Sequence, residues 1–309
     1  MKLKLNKIMV PTDFSEASKQ SVPYAVAFAK KFGARITLVY VASARAAAEF
    51  SRVGIVLEEK LAMERAEESL REFRAKEFAQ SLPVQTQLLT GAPFAEINNA
   101  AQSLNIDLII LSTQGRTGLK HFFLGSTTER VVRHAPCPVL TIREQPLQVK
   151  FPGDSPCGFK RILVPIDFSE ASHKALFYAT AFAEGCGAEI TLLHVLELPA
   201  YPELGYAHVP MKEAEQKKAA LETLELADLE LGKSARLIKS RLVRVGNPSQ
   251  EIIEEARTQN SDLIVISTHG HGGLRHLLLG STTEKVMRHA SCPVLVVREH
   301  EHDFLTSES

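Results

Sequence analysis

The sequence of 309 residues has no excess of either charge and no long hydrophobic segment, and each absence argues against a class of protein. Lysine and arginine number 36, as do aspartate and glutamate, so no net charge attracts nucleic acid or an acidic membrane surface. No apolar run approaches the roughly 20 residues of a membrane span, and the first residues lack the features of a secretory signal. We predict a cytoplasmic protein with no membrane and no nucleic-acid partner.

Cysteine is scarce and widely spaced. The four cysteines, Cys137, Cys157, Cys186 and Cys292, form no Cys-x-x-Cys pair, so the sequence offers neither a close zinc-ligand pair nor a disulfide framework. We predict that all four are reduced thiols. Cys137 and Cys292 each precede a short apolar segment, and we expect them to be buried as small apolar groups.

The chain contains an internal repeat of one sequence unit. KIMVPTDFSEAS from Lys7 recurs as RILVPIDFSEAS from Arg161, an offset of 154 residues. GSTTERVVRHAPCPVL from Gly125 recurs as GSTTEKVMRHASCPVL from Gly280, an offset of 155, so one residue was inserted in between. A period this long indicates repeated domains rather than a solenoid. The predicted organisation is a first lobe over residues 1–145, a linker over 146–159, a second lobe over 160–300 and a tail over 301–309.

Short apolar runs alternate with longer helical patterns inside each unit, which favours a parallel sheet covered by helices. In the first unit the predicted strands are KIMVP, RITLVYV, VQTQLLT, DLIILS and PVLTIR. Each lobe is therefore predicted to be an α/β, doubly wound, five-stranded parallel-sheet sandwich. Pro23 falls inside the expected first helix while its counterpart is Phe177, so we predict a local kink in the first lobe alone.

The turn after the first strand is a candidate ligand site because ligands of open parallel sheets bind outside the carboxyl ends of the strands. The turn reads Pro11-Thr12-Asp13 in the first lobe and is repeated in the second as Pro165-Ile166-Asp167. It lacks the Gly-x-Gly-x-x-Gly pattern of a dinucleotide site. The aspartate can accept hydrogen bonds from an adenine amino group or a ribose hydroxyl, or it can simply cap the helix that follows.

A glycine-rich loop after the fourth strand is a candidate phosphate site. Glycine allows backbone amides to approach an anion, and the N-terminus of a helix favours negative charge. Arg116 would add a positive charge in the first lobe, and His271 takes its position in the second. The candidate residues of the two loops are Ser112, Gly115, Arg116, Gly125, Ser126 and Thr127, and Ser267, Gly270, Gly280, Ser281 and Thr282.

The second half of each loop also fits an interpretation that needs no ligand. Ser126-Thr127-Thr128-Glu129 and its repeat from Ser281 match a capping box, in which the serine hydroxyl and the glutamate satisfy amides of the first helical turn. The capping box does not explain the glycines that come before it.

With these motifs the sequence resembles a tandem universal stress protein, over Lys7 to Arg298. Nucleotide-binding members of that family carry an aspartate after the first strand, a valine at the end of the second, and Gly-x-x-Gly followed nine residues later by Gly-Ser or Gly-Thr. The resemblance implies the fold named above, of the adenine-nucleotide-hydrolase kind. It also implies Asp13 and Val41 at adenine in the first lobe, Asp167 and Val195 in the second, and the loop residues at ribose and phosphates. The first glycine of the family pattern is Ser112 in one lobe and Ser267 in the other.

The function implied is a stress-response protein that binds ATP, with or without magnesium, or a related adenine nucleotide in one or both lobes. No lysine follows the glycine loop and no acidic pair is evident for magnesium. We therefore predict a binding or regulatory protein that hydrolyses ATP slowly at most. The alternative is a scaffold of the same fold that binds no nucleotide. A third reading, a zinc or copper site at His269 and His271, lacks a cysteine or carboxylate at ligand spacing, and we assign no metal.

The closing segments PVLTIR from Pro138 and PVLVVR from Pro293 are predicted edge strands. An exposed apolar edge is prone to pair with another strand. We expect these two edges to pair with each other, giving a pseudo-dimer within one chain, and the resemblance implies the same arrangement. The sequence is also compatible with a further homo-oligomer.

Overall fold

The computed structural model of the protein describes residues 2–43, 55–114, 124–143, 158–197, 209–268, 279–299, 301 and 305–306. The chain divides into two compact units. One, here termed the N-terminal lobe, consists of Lys4–Val149 with His300–Phe304. The other, the C-terminal lobe, consists of Met1–Leu3, Lys150–Glu299 and Leu305–Ser309.

Strands and helices alternate along the described residues. The strands are β1 (Lys2–Leu3), β2 (Lys7–Pro11), β3 (Arg35–Ser43), β4 (Val84–Gly91), β5 (Leu108–Ser112), β6 (Val139–Ile142), β7 (Arg161–Pro165), β8 (Glu189–Leu196), β9 (Ile238–Val245), β10 (Leu263–Ser267), β11 (Val294–Val297) and β12 (Leu305–Thr306). The α-helices are α1 (Glu16–Lys19), α2 (Ser21–Phe32), α3 (Ile55–Glu77), α4 (Pro93–Ser103), α5 (Ser126–His134), α6 (Glu170–Cys186), α7 (Val209–Leu231), α8 (Pro248–Thr258) and α9 (Ser281–His289). A 3₁₀ helix, Gly232–Leu237, leads into β9.

Each lobe contains a five-stranded parallel sheet, so the predicted fold class is confirmed. The strand order is β4-β3-β2-β5-β6 in the N-terminal lobe and β9-β8-β7-β10-β11 in the C-terminal lobe. The inner strands β5 and β10 are buried along their whole length, as expected for strands covered on both faces. In the N-terminal lobe the order reverses between β2 and β5, so the crevice at their carboxyl ends is where a ligand is expected.

Helices cover these sheets through apolar faces. Helix α2 packs on β2 and β5 and buries Val22, Ala25, Phe28 and Ala29. In the C-terminal lobe β1 and β12 form a separate antiparallel pair, and β1 contacts α6. Among the helices of the described residues, none combines the length and the apolar character needed to cross a membrane.

The second repeat has one residue more than the first, and the strand register shows which residue it is. Ile190 is opposite Ile238, but the next residue, Thr191, is opposite Ser240. Lys239 is therefore the extra residue of a β-bulge in β9. Its ammonium group lies 2.5 Å from a carboxylate oxygen of Glu189. Positions before this bulge correspond between the lobes at an offset of 154, and later positions correspond at 155.

The kink predicted at Pro23 is confirmed as a break between two helices. Helix α1 ends at Lys19, and α2 begins at Ser21, two residues before the proline. Proline cannot donate to the carbonyl four residues earlier and its ring clashes there, so a continuous helix would be destabilised. In the C-terminal lobe Phe177 takes this place, and α6 runs unbroken over 17 residues.

The cysteines divide into two kinds. Cys137 and Cys292 are free and buried, which confirms their predicted place as small apolar groups. Cys186 is disulfide-bonded, so the prediction of a reduced thiol is wrong at that position. Cys157 lies outside the described residues. Apolar spacing alone could not reveal this bond, because pairing depends on which segments the fold brings together.

Burial should make the native chain's Cys292 resistant to alkylation. Loss of solvent contact, reinforced by the charge of Asp262, raises the pKa of this thiol to about 12. Compared with a thiol of ordinary pKa near 9, about a thousandfold less thiolate is present at pH 8. Between pH 9 and 12 the unfolded chain loses this proton while the native chain keeps it, so the free energy of unfolding falls by about 1.4 kcal/mol per pH unit.

Two measurements test this expectation. Maleimide labelling followed by peptide mass analysis should modify Cys292 only after the chain is unfolded. The unsubstituted chain and the Cys292→Ala variant differ in their free energy of unfolding, and this difference should shrink as the pH rises from 9 to 12. Only the unsubstituted chain has the titrating thiol. A difference that stays constant with pH would contradict the raised pKa.

Candidate functional site

The predicted aspartates sit in a turn that they stabilise themselves. Asp13 Oδ1 accepts hydrogen bonds from the backbone N–H of Ser15 at 3.0 Å and from its hydroxyl at 2.5 Å. Asp167 makes the same contacts with Ser169 at 3.1 and 2.6 Å. The helix cap is the serine, whose hydroxyl oxygen accepts from the backbone N–H three residues later. The alternative that the aspartate itself caps the helix is therefore wrong, because it fixes the residue that does.

The residue after each aspartate has strained backbone geometry. Phe14 has φ 64° and Phe168 has φ 66°, a left-handed conformation that costs a bulky residue free energy. The ring of Phe14 packs against Tyr40 at 4.5 Å between centroids, and Phe168 packs against His194 at the same distance, both in tilted arrangements. Such strain persists where the surrounding structure over-determines the conformation, and it is frequent at functional sites.

In both lobes the glycine-rich loop after the fourth strand of the sheet leads into its helix differently from the capping-box prediction. The N-cap residue of α5 is Gly125 and that of α9 is Gly280, and neither cap has a side-chain hydrogen bond. Glu129 instead contacts Arg133 at 2.5 Å, one turn further along the helix. The predicted box is wrong because the helix begins one residue earlier than the serine pattern suggests. The N-termini of α5 and α9 therefore have no capping side chain.

The serines that replace the first glycine of the family pattern are not strained. Ser112 is the last residue of β5 and Ser267 the last of β10, and both have extended backbone. Their carbonyls accept hydrogen bonds from the hydroxyls of Thr128 and Thr283 at 2.8 and 2.7 Å. These bonds fix the start of the following helix against the end of the strand.

In the C-terminal lobe these segments surround one cavity of about 540 Å³. It is bordered by the turn after β7, the end of β8, the end of β10 and the start of α9, which is the edge where a doubly wound sheet binds ligands. The sequence-predicted residues that line it are Pro165, Ile166, Asp167, Val195, Ser267, Gly280, Ser281 and Thr282.

In the N-terminal lobe the corresponding residues lie at the ends of adjacent strands. Pro11, the last residue of β2, pairs with Val39 of β3, and Thr12 donates its backbone N–H to the carbonyl of Val39 at 2.8 Å. Gly125 donates its backbone N–H to the carbonyl of Thr113 at 2.8 Å, which closes the loop onto the end of β5. Asp13, Val41, Ser112, Ser126 and Thr127 belong to the same strand ends and helix start.

Three predicted residues, Gly115, Arg116 and Gly270, lie outside the described residues, as do His269 and His271 of the metal alternative. Across the described ranges with their gaps, no group of three or more His, Cys, Asp or Glu side chains is arranged to hold a metal ion.

Comparison with known proteins fits this architecture. The model of the universal stress protein family matches residues 4–143 and again 158–298. The chain is 30% identical to a universal stress protein of Mycobacterium tuberculosis over 71% of this chain and 70% of that protein. It is 25% identical to one of Synechocystis over 95% of this chain and 100% of the relative. The crystal structure of a universal stress protein from Archaeoglobus fulgidus covers 95% of the chain with a TM-score of 0.68 and 26% identity, and 96% of that structure is matched.

The chain belongs to the universal stress protein family. In this universal stress protein the two lobes have the same turn but different side chains around it. His194 and Glu197 line the C-terminal cavity, and Pro248 and Ile252 complete its wall. Sequence reasoning missed all four. Pro248 could have been found, because it follows the repeated glycine at Gly246.

His194 and its counterpart Tyr40 show how the contacts around the turn differ between the lobes. His194 Nδ1 lies 2.7 Å from the carbonyl oxygen of Ile166, a bond that ties β8 to the turn before Asp167. In the N-terminal lobe of this universal stress protein, Tyr40 takes the ring position, and Thr12 replaces Ile166. The hydroxyl oxygen of Thr12 accepts from the backbone N–H of Phe14 at 3.0 Å, so each lobe supports the same strained turn by a different contact.

Proposed function

We propose that this universal stress protein binds ATP or a related adenine nucleotide in the crevice of each lobe, and that binding rather than rapid turnover is its task. The observation that supports the proposal is the cavity of about 540 Å³ in the C-terminal lobe. One end carries an acceptor carboxylate, Asp167, and an apolar wall at Val195. The other end carries the uncapped start of α9 at Gly280 and Ser281.

Each end suits a different part of a nucleotide. An adenine ring fits between apolar side chains while its amino group donates to a carboxylate. Phosphates fit the start of a helix, where backbone N–H groups lack intrahelical acceptors and the dipole favours negative charge. The described lining includes the acidic side chains Asp167 and Glu197 but no lysine or arginine, so magnesium belongs in the binding experiment.

A thermal-shift titration of the full chain tests the proposal. ATP at a hundred times its Kd should raise the free energy of unfolding by about 2.7 kcal/mol. The shift should be measured with and without magnesium, and adenosine and tripolyphosphate should be run as the two halves of the ligand. Adenosine is expected to shift the transition more than tripolyphosphate, because the cavity wall is largely apolar.

The scaffold alternative makes the opposite prediction. No shift with any adenine nucleotide at millimolar concentration, together with no nucleotide released on denaturing the purified protein, would reject nucleotide binding. The fold would then act through its lobe surfaces alone.

A further inference from the structure

A second cavity, of about 360 Å³, lies in the C-terminal lobe and shares no lining residue with the first. It is bounded by the strained turn at Phe168, the first half of α6 and the end of α7. Its lining residues are Phe168, Glu170, His173, Lys174, Phe177 and Glu230.

On α7, one turn before Glu230, a buried side chain differs between the repeats. In the N-terminal lobe the ring of Phe73, on α3, covers Phe14 at 5.8 Å between centroids. Phe73 lies before the inserted Lys239, so its counterpart at an offset of 154 is Ala227 on α7. Both positions are buried, at 7% exposure each. The C-terminal lobe therefore lacks the aromatic ring that packs against the turn in the other lobe.

Charge pairing at the cavity also differs from the other lobe. In the N-terminal lobe Glu16 is paired with Lys19 at 2.5 Å. His173 takes the position of Lys19 in the C-terminal lobe, but it contacts Glu230 on α7 at 2.8 Å instead. Glu170, the counterpart of Glu16, makes no hydrogen bond or ion pair within the described part of the chain.

The cation Lys174 and the ring of Phe177 also line the cavity. The ammonium group of Lys174 donates to the carbonyl of Glu299 at 3.1 Å. The ring of Phe177 is half-buried and stacks on no other aromatic ring of the described residues. An ammonium group over a phenyl ring and near a carboxylate is attracted by both, and an apolar body gains by covering the ring.

We propose that this second cavity binds a small organic ammonium ion with an aromatic or alkyl body, with its charge at Glu170 and its body against Phe168 and Phe177. A volume of about 360 Å³ is at the lower end for ligand pockets, which limits the ligand to a small molecule. The site does not depend on nucleotide binding, because the two cavities have separate linings.

Benzylamine is the probe for this site, and its binding to the full chain is measured by saturation-transfer NMR. Benzyl alcohol and benzoate have the same ring with a neutral and a negative group. Benzylamine should bind more tightly than benzyl alcohol, by about fivefold, and benzoate should give no saturation transfer. Equal or tighter binding of benzyl alcohol or benzoate would overturn the proposal.

Variants locate the binding within the lobe. Ala227→Phe restores the ring that covers the turn in the other lobe, and it should weaken benzylamine binding at least about tenfold. Leu226→Phe adds the same ring to the neighbouring position of α7, which is 58% exposed, and should leave binding unchanged. Unchanged affinity in Ala227→Phe would place the probe elsewhere and overturn the proposal.

An exposed substitution keeps the proposal testable if Ala227→Phe fails to fold. Glu170→Gln removes the carboxylate without changing the shape of α6, and it should weaken benzylamine binding about fivefold while leaving benzyl alcohol binding unchanged. Glu225→Gln, an exposed change on α7 outside the cavity, is the matched control. Equal loss for benzylamine and benzyl alcohol in Glu170→Gln would show that the carboxylate does not contact the charge.

Discussion

An Asp167→Asn variant is expected to bind ATP at the C-terminal lobe about 10- to 100-fold more weakly than the native chain. The asparagine oxygen can still accept from Ser169, the bonds that Asp167 Oδ1 makes at 3.1 and 2.6 Å, so the turn should keep its geometry. The other carboxylate oxygen becomes an amide nitrogen. That group donates, and it can no longer accept from the amino group of adenine.

The matched change in the N-terminal lobe is Asp13→Asn, and the two changes separate the sites. Isothermal titration should report two sites in the native chain, and each single variant should keep one site of native affinity. The double variant should lose both. Asp167→Ala is a useful comparison because it also removes the contacts to Ser169, so any additional loss measures the contribution of the turn.

Glu254→Gln is the control for surface charge. Glu254 lies on α8 and pairs only with its exposed helix neighbours Arg257 and Thr258 among the described residues. ATP affinity should be unchanged in this variant. Native affinity in the Asp13→Asn/Asp167→Asn double variant would contradict a role of either carboxylate in base recognition, whatever the thermal-shift result.

The strands could be predicted from sequence because their apolar runs are continuous and bounded by turns. Predicted segments such as KIMVP and DLIILS coincide with Lys7–Pro11 and Leu108–Ser112 to within a residue. A strand covered on both faces needs apolar residues throughout, and few other structures produce that pattern in so short a run. Repetition adds a second, independent instance of each segment.

Details decided by hydrogen-bond register could not be predicted in the same way. The sequence shows that one residue was inserted before Gly246, but the two repeats can be aligned equally well with the insertion at many positions. Only the strand pairing identifies Lys239, because the bulge is where the partner strand skips a residue. The start of α5 is a similar case. Gly125 and Ser126 are both acceptable caps, and the bond from Gly125 to the carbonyl of Thr113 decides between them.

Side chains that differ between the repeats were also beyond sequence reasoning. His194 and Glu197 line the C-terminal cavity, but Tyr40 and Ser43 take their places in the other lobe, so no shared pattern marks them. The second cavity, at Phe168, is a similar case, because α7 carries Ala227 where α3 of the other lobe carries Phe73. Such a cavity is defined by a missing contact, and a sequence shows a missing contact only after the fold aligns the two positions.

Asp107→Ala is expected to lower the stability of the N-terminal lobe by about 3 kcal/mol, the other large effect. Asp107 is 5% exposed, and its Oδ2 accepts the backbone N–H groups of Asn6 at 2.8 Å and Lys7 at 2.9 Å. Through these bonds the start of β5 holds the start of β2. Removing the carboxylate leaves two backbone donors without an acceptor in a partly buried place, and each such donor costs free energy.

Asp262→Ala is the matched substitution in the other lobe and should cost about half as much. Asp262 makes the same pair of bonds, to the backbone N–H groups of Lys160 and Arg161, each at 2.9 Å. Asp262 is less deeply buried than Asp107, so water can replace the lost acceptor more readily. Hydrogen exchange followed by mass spectrometry resolves the two lobes, which a single unfolding curve of a two-lobed chain does not.

Asp107→Asn separates the loss of the acceptor from the loss of the charge. The asparagine oxygen can accept from both backbone groups, so this variant should recover more than half of the stability lost in Asp107→Ala. Exchange should accelerate in β2 and β5 of the Asp107→Ala chain and stay at the native rate in β7 and β10. Equal losses from Asp107→Ala and Asp262→Ala would mean that solvent exposure of the carboxylate does not set the cost, and that packing at the start of the strands does.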